Sequence, residues 1–306
     1  MSGAGVEAGP GADPRSVVAV VINFNAGSHL VACVDSLVGA DVTDIVVVDN
    51  ASSDDSRRLL GGTHPDVAWV DAGGNVGYGR AANLGAAPSS ADVLVCNPDL
   101  VVAPEAVRHL AARLAAEADL GVVGPRLRNS DGTIYPSART FPDLVDAMGH
   151  GLLGLVAPQN RFTRRYRLLD WDHGDARRVD WVSGACLLVR RRAWEDLGGF
   201  DPSYFMYLED VDLCWRAHRA GWDVGYEPAA EVTHAQGIST RLHPYRMLAV
   251  HHWSMWRFAW RSTVGGRRAL LPVVAVGLGA RLGVASLRHR AGGQKAEVPT
   301  CSEADR

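Results

Sequence analysis

The chain has 306 residues, of which 47% are hydrophobic and 21% are charged. This composition excludes a disordered protein, a collagen-like protein and a small disulfide scaffold, because it supplies enough apolar material for a large core. The net charge of −3 hides an asymmetry: residues 241–290 contain nine arginines and no acidic residue, which leaves −12 on the other 256 residues.

The first half of the chain alternates between predicted strands and predicted helices. Short β-branched runs predict buried parallel strands at Val17–Ile22, Ile45–Val48, Val67–Val70 and Val93–Cys96. Helical spacing occurs at His29–Val38, Asp54–Leu60, Gly77–Ala86 and Pro104–Ala118. Ser52 or Ser53 is the expected N-cap of the second helix. This alternation predicts an α/β fold, with a mostly parallel sheet flanked by helices.

The second half of the chain is less regular. We predict strands at Gly121–Asn129, Thr133–Arg139, Val179–Arg190 and Trp222–Tyr226. Helices are predicted at Glu209–Ala220 and from Pro244 to about Arg261. The apolar run that follows, Leu270–Ala280, has 11 residues, fewer than the roughly 20 needed to span a bilayer.

The domain organisation follows from the absence of a long linker before residue 240. We expect a disordered leader at 1–15, one domain at 16–240, a basic aromatic helical segment at 241–290 and a disordered tail at 291–306. The five cysteines are scattered and form no C-x-x-C pair, so neither a disulfide framework nor a zinc site is expected. No secretory signal is recognisable at Met1–Arg15, which favours a cytoplasmic location.

Polar residues follow the predicted parallel strands. Asn23, Asp49, Asn97 and Asp99 each come just after a strand, and Asn75 precedes the third helix. Ligands collect at the carboxyl ends of parallel strands, so together these residues predict a ligand crevice, although each one also suits a turn or a cap. The turn after the first strand lacks G-x-G-x-x-G and the chain has no G-K-[ST], which excludes a Rossmann dinucleotide site and a P-loop.

A second acidic cluster begins the helix at residue 209. Glu209, Asp210 and Asp212 lie within four residues of one another, and His234 follows 24 residues after Asp210. Carboxylates at a helix start are stabilised by the helix dipole, so a structural role is open. The alternative is that one carboxylate faces a pocket and acts as a base.

Seven segments resemble family 2 inverting glycosyltransferases of the GT-A fold. They cover roughly residues 16–240 and read VVINFN, VVVDNASSD, GGNVGYGRAAN, NPD, WVSGACLLVRR, GGFDPSYFMYLEDVDLCWRAHRAGW and EVTHAQGIS. The stretches Tyr135–Arg139 and Tyr204–Leu213 are similar to actinobacterial rhamnosyltransferases that add L-rhamnose to GlcNAc-diphospho-decaprenol, a lipid precursor of the arabinogalactan linker. The resemblance implies a GT-A fold with a nucleotide-binding sheet.

The resemblance also implies roles for individual residues. Asp210 would be the catalytic base, and a divalent cation, Mg²⁺ or Mn²⁺, would be held by Asp99 and His234. Asn97 stands where the family's D-x-D motif has its first aspartate, which leaves one fewer anionic ligand. The implied donor-binding residues are Asn23, Asp49, Asn75, Asn97, Asp99, Trp181, Ser183 and Gly184. The implied acceptor-binding residues are Glu209 and Arg139.

Several functional alternatives stay open at this stage. The resemblance favours dTDP-L-rhamnose as donor, with UDP-galactofuranose or another nucleotide sugar as the alternative. A non-catalytic nucleotide-sugar or glycan-binding protein is a further alternative. A sugar-nucleotide pyrophosphorylase is disfavoured, because the basic glycine-rich signature expected after the first strand is absent.

The arginines and tryptophans of residues 241–290 predict a helical membrane-associating segment. We expect it to bind the anionic surface at the inner face of the cell membrane, which also presents a lipid-diphosphate acceptor. The alternative is that this segment packs on the catalytic domain or on a second subunit, so formation of a homo-oligomer stays open. Nucleic acid is not an expected partner, because the body of the protein is acidic and nucleic-acid motifs are absent.

Overall fold

The computed structural model describes residues 16–141, 159–235 and 244–291. The predictions of a disordered leader and tail lie outside the described residues. The strands are β1 (Val17–Asn23), β2 (Asp44–Asp49), β3 (Ala68–Asp71), β4 (Asp92–Cys96), β5 (Leu100–Val102), β6 (Leu120–Asn129), β7 (Ile134–Tyr135), β8 (Ala138–Arg139), β9 (Arg177–Arg178), β10 (Trp181–Val182), β11 (Cys186–Val189) and β12 (Asp223–His234). The helices are α1 (Ser28–Gly39), α2 (Ser56–Thr63), α3 (Tyr78–Ala86), α4 (Ala106–Ala116), α5 (Arg161–Tyr166), α6 (Arg191–Leu197), α7 (Glu209–Arg219), α8 (Pro244–Ser262) and α9 (Leu271–Ala291), with a 3-10 helix at Gly265–Leu270.

The central sheet confirms the predicted α/β class. Its main strand order is β3-β2-β1-β4-β11-β6-β12-β5, and β1 to β4 are parallel. β11 runs antiparallel to both β4 and β6, and β5 runs antiparallel to β12, so the sheet is mixed in its second half. A separate pair, β8 and β10, lies outside this sheet. The parallel half brings the carboxyl ends of β1, β2 and β4 to one edge, where the polar residues stand.

Hydrophobic cores cover both faces of the sheet, as continuous runs such as VVAVVI require. One core joins the sheet to α3, α6, α7 and Phe258 of α8. The other joins it to α1, α2 and α4. β1 serves both cores: Val18 and Val20 face the first, and Ala19 and Val21 face the second.

The prediction of one long strand at Val179–Arg190 is wrong. The structure divides it into β10 and β11, which belong to different sheets, with Ser183 and Gly184 between them. The predicted short strand at Trp222–Tyr226 is instead the 12-residue β12, which reaches His234 with a register shift between Glu227 and Glu231. The predicted serine cap is also wrong, because α2 begins after Asp55, whose side chain makes no capping hydrogen bond.

The C-terminal segment consists of two different helices. α8 packs against the body of the protein, with Met247, His252, Ser254 and Phe258 buried. The stretch Gly265–Ser286, by contrast, is 6% buried and is long and apolar enough, by length and composition, to cross a membrane. The expectation that this apolar segment is too short to span a bilayer is therefore corrected: the glycines and alanines extend the apolar helix beyond the 11-residue run.

Candidate functional site

The first part of the site lies where β1 and β2 end side by side. Asn23 and Asp49 are register partners, and the Asn23 amide donates to Oδ1 of Asp49 at 2.9 Å. The same amide donates to Oγ of Ser52 at 3.0 Å, and the Ser52 N–H donates to Oδ2 of Asp49 at 3.1 Å. Asn23 is fully buried, and no described residue donates a hydrogen bond to its Oδ1. A buried acceptor without a partner is unusual, and a ligand donor that reached the ends of β1 and β2 would satisfy it.

The glycine-rich run after β3 forms a turn at the rim of the same crevice. Oδ1 of Asn50, a buried residue, accepts a hydrogen bond of 2.8 Å from the Val76 N–H. Asn75, one of the predicted donor-binding residues, is exposed, and its Oδ1 accepts from the Gly77 N–H at 3.3 Å. Asn50 thus fixes the turn from below while Asn75 lies on its outer surface.

Three predicted site residues meet where β4 ends. His234 Nε2 lies 3.1 Å from Oδ1 of Asp99 and 3.2 Å from the side-chain nitrogen of Asn97. The antiparallel pairing of β5 with β12 places His234 opposite Leu100, directly after Asp99. The backbone N–H of Ala235 also donates to the Asp99 carbonyl at 3.0 Å. Residues separated by more than 130 positions in the sequence therefore form one cluster.

The donor atoms of this cluster suit a divalent cation that is shared with a ligand. A carboxylate oxygen and an imidazole nitrogen are both ligands of Mn²⁺, but two protein ligands leave most of the coordination sphere open. Among the described residues, no group of three or more His, Cys, Asp or Glu side chains lies close enough to hold a metal ion by itself. Asp99 and His234 thus fit a metal whose remaining ligands include the oxygens of a bound diphosphate.

The Asp210 carboxylate lies next to that cluster. Its Oδ2 accepts a hydrogen bond of 2.7 Å from the N–H of Gly184, and the carbonyl of the next residue, Ala185, accepts from the Asn97 N–H at 2.8 Å. A Cβ added to Gly184 would lie 2.9 Å from the Asp210 Cβ, so this close approach requires glycine. Tyr78 donates to the Gly184 carbonyl at 2.7 Å and holds the turn from the other side.

The electrostatics of the paired carboxylates differ between Glu209 and Asp210. Burial raises the pKa of Asp210, while hydrogen bonds from the Gly184 and Val211 N–H groups and the charge of Arg139 oppose this rise. Burial, with the Asp210 charge as second cause, raises the pKa of Glu209 to about 8. Asp210 remains partly accessible, whereas Glu209 is buried and its Oε2 has no hydrogen-bond partner among the residues that the structure describes. At neutral pH the pair therefore consists of a neutral Glu209 and an ionisable, accessible Asp210.

The loop that leads into α7 is held on two sides. Tyr207 and Leu208 both have positive φ angles, 66° and 62°, directly before the two carboxylates. On one side the Phe205 carbonyl accepts from the Tyr78 N–H at 2.9 Å. On the other side Ser254 of α8 donates to the Met206 carbonyl at 3.0 Å. Since positive φ is unfavourable for these residue types, the surrounding contacts stabilise this conformation.

Two arginines connect α8 to α7. Arg261 forms an ion pair with Asp201 and lies 3.4 Å from Oδ1 of Asp212, while Arg257 stacks over the Tyr204 ring. Asp212 is fully buried and also binds Arg216 at 2.6 Å. Asp212 thus has a structural role in fixing the helix that carries Asp210.

The predicted acceptor residue Arg139 is buried, with 1% of its surface exposed. Its guanidinium lies 5.2 Å from the Trp181 ring centre, 5.4 Å from that of Tyr135 and 5.7 Å from that of Tyr166. It also donates to the Tyr135 hydroxyl at 2.8 Å. Trp181 is buried in this group, and the neighbouring Ser183 N–H donates to the Ser137 carbonyl at 2.8 Å. Binding of acceptor by Arg139 and Glu209 stays a prediction.

Sequence reasoning placed Asn23, Asp49, Asn97, Asp99, Asp210 and His234 among the site residues, and the structure gathers them along one edge of the sheet. It missed Tyr78 and Ser52, whose hydrogen bonds hold Gly184 and Asn23. Both residues lie in quoted segments, GGNVGYGRAAN and VVVDNASSD, but a side-chain contact across 106 residues leaves no local pattern. Such contacts depend on the crossover connections of the sheet.

Comparisons of sequence show the family to which the chain is related. Residues 14–249 match the family described as glycosyltransferase like family 2. The chain is 37% identical over 276 residues to the N-acetylglucosaminyl-diphospho-decaprenol L-rhamnosyltransferase of Mycobacterium tuberculosis (strain H37Rv), covering 82% of this chain and 90% of that one. It is 27% identical over 239 residues to the rhamnosyltransferase WbbL of Escherichia coli (strain K12), covering 73% of this chain and 84% of the relative.

Solved structures share the fold at low sequence identity. The mannosyltransferase PcManGT from Pyrobaculum calidifontis, in complex with GDP-Man and Mn²⁺, has a TM-score of 0.54 and 18% identity, covering 93% of this chain and 79% of its own. S. aureus TarS in complex with UDP has a TM-score of 0.54 and 14% identity, covering 90% of this chain and 72% of its own. At these identities the likeness concerns the fold alone.

Proposed function

The chain belongs to glycosyltransferase family 2, and from this premise we propose that it transfers L-rhamnose from dTDP-L-rhamnose to GlcNAc-diphospho-decaprenol. The observation that supports this choice of sugar and acceptor is the 37% identity to an N-acetylglucosaminyl-diphospho-decaprenol L-rhamnosyltransferase. The match extends over most of both chains. We assign this chain to the step of cell-wall synthesis that its resemblance to actinobacterial rhamnosyltransferases implies.

The proposed donor site follows the edge of the parallel strands. Asn23 and Asp49 would bind the thymine or the ribose as acceptors, because Oδ1 of Asn23 is unused and a carboxylate accepts hydrogen bonds, whereas both N–H bonds of the Asn23 amide are taken by Asp49 and Ser52. Asn75 would contact the donor from the rim. Gly184 would line the sugar subsite, because its N–H bonds to the proposed base and the next residue, Ala185, bonds to Asn97 at the end of β4. Ser183 and Trp181, which precede Gly184 in the chain, would border the same subsite.

Metal dependence is part of the proposal. Asp99 and His234 would hold Mg²⁺ or Mn²⁺ against the donor diphosphate, with Asn97 as a neutral neighbour. When bound, the cation would neutralise negative charge on the departing nucleoside diphosphate. The protein supplies few ligands itself, so binding of metal and donor would be mutually dependent.

Asp210 would act as the general base of a single displacement. Its carboxylate would take the proton from the acceptor hydroxyl while that oxygen attacks the anomeric carbon and the bond to the diphosphate breaks. The oxygen attacks from the face opposite the leaving group, so the anomeric configuration inverts. The Gly184 N–H orients the carboxylate, and Arg139 favours its ionised form. Glu209 would support acceptor binding from its position beside Asp210.

We propose that the enzyme works at the inner face of the cell membrane, where a polyprenyl acceptor is located. The exposed apolar stretch Gly265–Ser286 carries Val276 at 73% exposure and follows the tryptophans of α8. An apolar helix flanked by tryptophan and arginine favours the membrane interface. Val276→Glu should reduce co-sedimentation of the full chain with vesicles, and unchanged partitioning would contradict this part of the proposal.

A panel of donors tests the function as a whole. Purified full-length protein with Mn²⁺ and GlcNAc-diphospho-polyprenol is offered dTDP-L-rhamnose, UDP-galactofuranose, UDP-glucose and GDP-mannose in separate reactions. We expect product from dTDP-L-rhamnose alone. Transfer only from another nucleotide sugar would overturn the donor while retaining the family, and binding of dTDP-L-rhamnose without turnover would favour a non-catalytic protein.

A further inference from the structure

A cleft of about 610 Å³ lies between the ends of α7 and α8 and the 3-10 helix that precedes α9. Its walls carry two tryptophans and four arginines, namely Trp215, Trp260, Arg216, Arg219, Arg261 and Arg268. Asp196 is the acidic residue among the lining side chains. The lining of the cleft is therefore aromatic and contains more arginines than acidic residues.

Two of these arginines retain a positive charge that the protein does not neutralise. Arg216 and Arg261 are paired with Asp212 and Asp201. Arg219 and Arg268, on opposite walls, form no ion pair within the part of the chain that the structure describes. Arg219 stacks 4.9 Å from the centre of the Trp215 ring, and Arg268 stacks 5.9 Å from that of Trp260. Nε of Arg268 donates to the Thr263 carbonyl at 3.2 Å, and stacking leaves the terminal N–H groups of both guanidiniums able to bind an anion.

The cleft is separate from the transfer site. Successive residues of an α-helix are rotated by about 100°, so Arg219, nine positions after Asp210, lies on the opposite face of α7. The contacts agree with this rotation: Asp210 approaches Gly184, while Arg216 pairs with Asp212, which Arg261 of α8 also approaches. An anion in the cleft would therefore be neither the donor diphosphate nor the acceptor diphosphate.

The cleft adjoins the exposed apolar stretch Gly265–Ser286. Arg268 lies within the stretch Gly265–Ser286, and Trp260, which is 52% exposed, precedes that stretch. Tryptophan and arginine concentrate at the level of lipid head groups. With α9 in contact with a bilayer, the arginines of the cleft would therefore stand at the depth of the lipid phosphates.

We propose that this cleft binds the phosphate of an anionic phospholipid, with Arg219 and Arg268 as its ligands. The charge of the cleft complements an anionic head group, and the tryptophans on its walls suit the boundary between head groups and acyl chains. This inference rests on the membrane association proposed above and is independent of the sugar that is transferred. In this proposal, arginines on α7 and the 3-10 helix make the protein prefer anionic membranes, while α9 provides the apolar contact with the bilayer.

Vesicle co-sedimentation of the full chain tests the cleft. The double variant Arg219→Gln/Arg268→Gln is compared with Arg58→Gln/Arg108→Gln, which removes the same charge from exposed arginines on α2 and α4, across the sheet. On phosphatidylglycerol-containing vesicles we expect the cleft variant to bind at least about tenfold more weakly than the wild type, at about fivefold for each arginine. The control variant should bind like the wild type, and all three should bind equally to phosphatidylcholine.

Three results would each overturn the inference. Both double variants could bind equally weakly, the cleft variant could bind like the wild type, or the wild type could show no preference for phosphatidylglycerol. The double variant Arg219→Lys/Arg268→Lys serves as the folding control, because it keeps both positive charges. It should retain preferential binding to phosphatidylglycerol. If it has the melting temperature of the wild type but loses this preference, the inference is also overturned. Turnover of the wild type in detergent is measured separately. Its absence would refute the proposed transfer without affecting the cleft result.

Discussion

The Asp210 carboxylate accepts a hydrogen bond of 2.7 Å from the backbone N–H of Gly184, at the turn that separates β10 from β11. This contact joins the start of α7 to the end of β4, because Ala185 in the same turn bonds to Asn97. The position of the proposed base therefore depends on a glycine that lies 26 residues before it in the chain.

Gly184→Ala should displace the base. The added Cβ would lie 2.9 Å from the Asp210 Cβ, so one of the two must move. We expect kcat to fall by about tenfold to a hundredfold, because a shift of about 1 Å is enough to misplace a catalytic group. Gly61→Ala is the matched control, since no atom of the described residues lies within 4 Å of its Cβ position, and it should keep wild-type kcat. Equal kcat in the two variants would refute this role of Gly184.

The cluster of Asn97, Asp99 and His234 predicts that Asn97→Asp increases the affinity for the metal ion. This change restores a second carboxylate beside Asp99 and His234, which should lower the Mn²⁺ concentration for half-maximal activity by about tenfold. His234→Ala should raise that concentration, and EDTA should stop the wild-type reaction until metal is restored. Full activity of the wild type in EDTA would exclude a metal role for this cluster.

The raised pKa of Glu209 predicts that the stability of the folded protein depends on pH. Its pKa is raised to about 8 in the folded protein, so the folded state retains a proton that the unfolded state loses above about pH 4.5. The contribution of Glu209 to stability is fully present below that pH and is lost as pH rises towards 8, at up to about 1.4 kcal/mol per pH unit. Glu209→Gln should flatten this decline in thermal unfolding measured between pH 5.5 and 8.5. Parallel stability curves for the variant and the wild type would contradict the raised pKa.

The packing of α8 predicts that it belongs to the folded body rather than to the membrane. Phe258 is 4% exposed within the core that also contains α7. Phe258→Ala should lower the free energy of unfolding by about 3 kcal/mol, as expected for a buried aromatic side chain. Trp253 on the same helix is 62% exposed, so Trp253→Ala should change it by less than about 0.5 kcal/mol. Similar effects of both changes would show that α8 is not packed as described.

The sequence predicted most of the parallel half of the fold because β1, β2 and β4 are uninterrupted β-branched runs with polar residues at their ends. It failed at Val179–Arg190, where the apolar pattern continues through a turn whose geometry is set by Asp210. It also ended β12 too early, since an isolated His234 gives no sign that β5 and β6 continue the pairing. Those features are fixed by tertiary contacts, which local periodicity does not encode.

The C-terminal segment shows the same limit. Its basic charge and tryptophans pointed to a membrane role for the whole of residues 241–290, but the burial of Ser254 and Phe258 is a property of the docked α8. The apolar length of the following helix was underestimated because the predicted run was ended at Arg281, whereas the apolar stretch continues through this arginine to Ser286. The net charge of residues 241–290 gave no sign that this segment contains one packed helix, α8, and one exposed helix, α9.

The central claim is that Asp210 serves as base in an inverting transfer of rhamnose. The most direct measurement is the anomeric configuration of the product, determined by NMR after reaction of dTDP-L-rhamnose with GlcNAc-diphospho-polyprenol, alongside the turnover of Asp210→Asn. We predict a product with the configuration opposite to that of the donor, and a loss of at least about a hundredfold in kcat for the variant with donor binding retained. Asp66→Asn, an exposed aspartate, should turn over normally. Retention of configuration, or near-normal turnover by Asp210→Asn, would contradict the account.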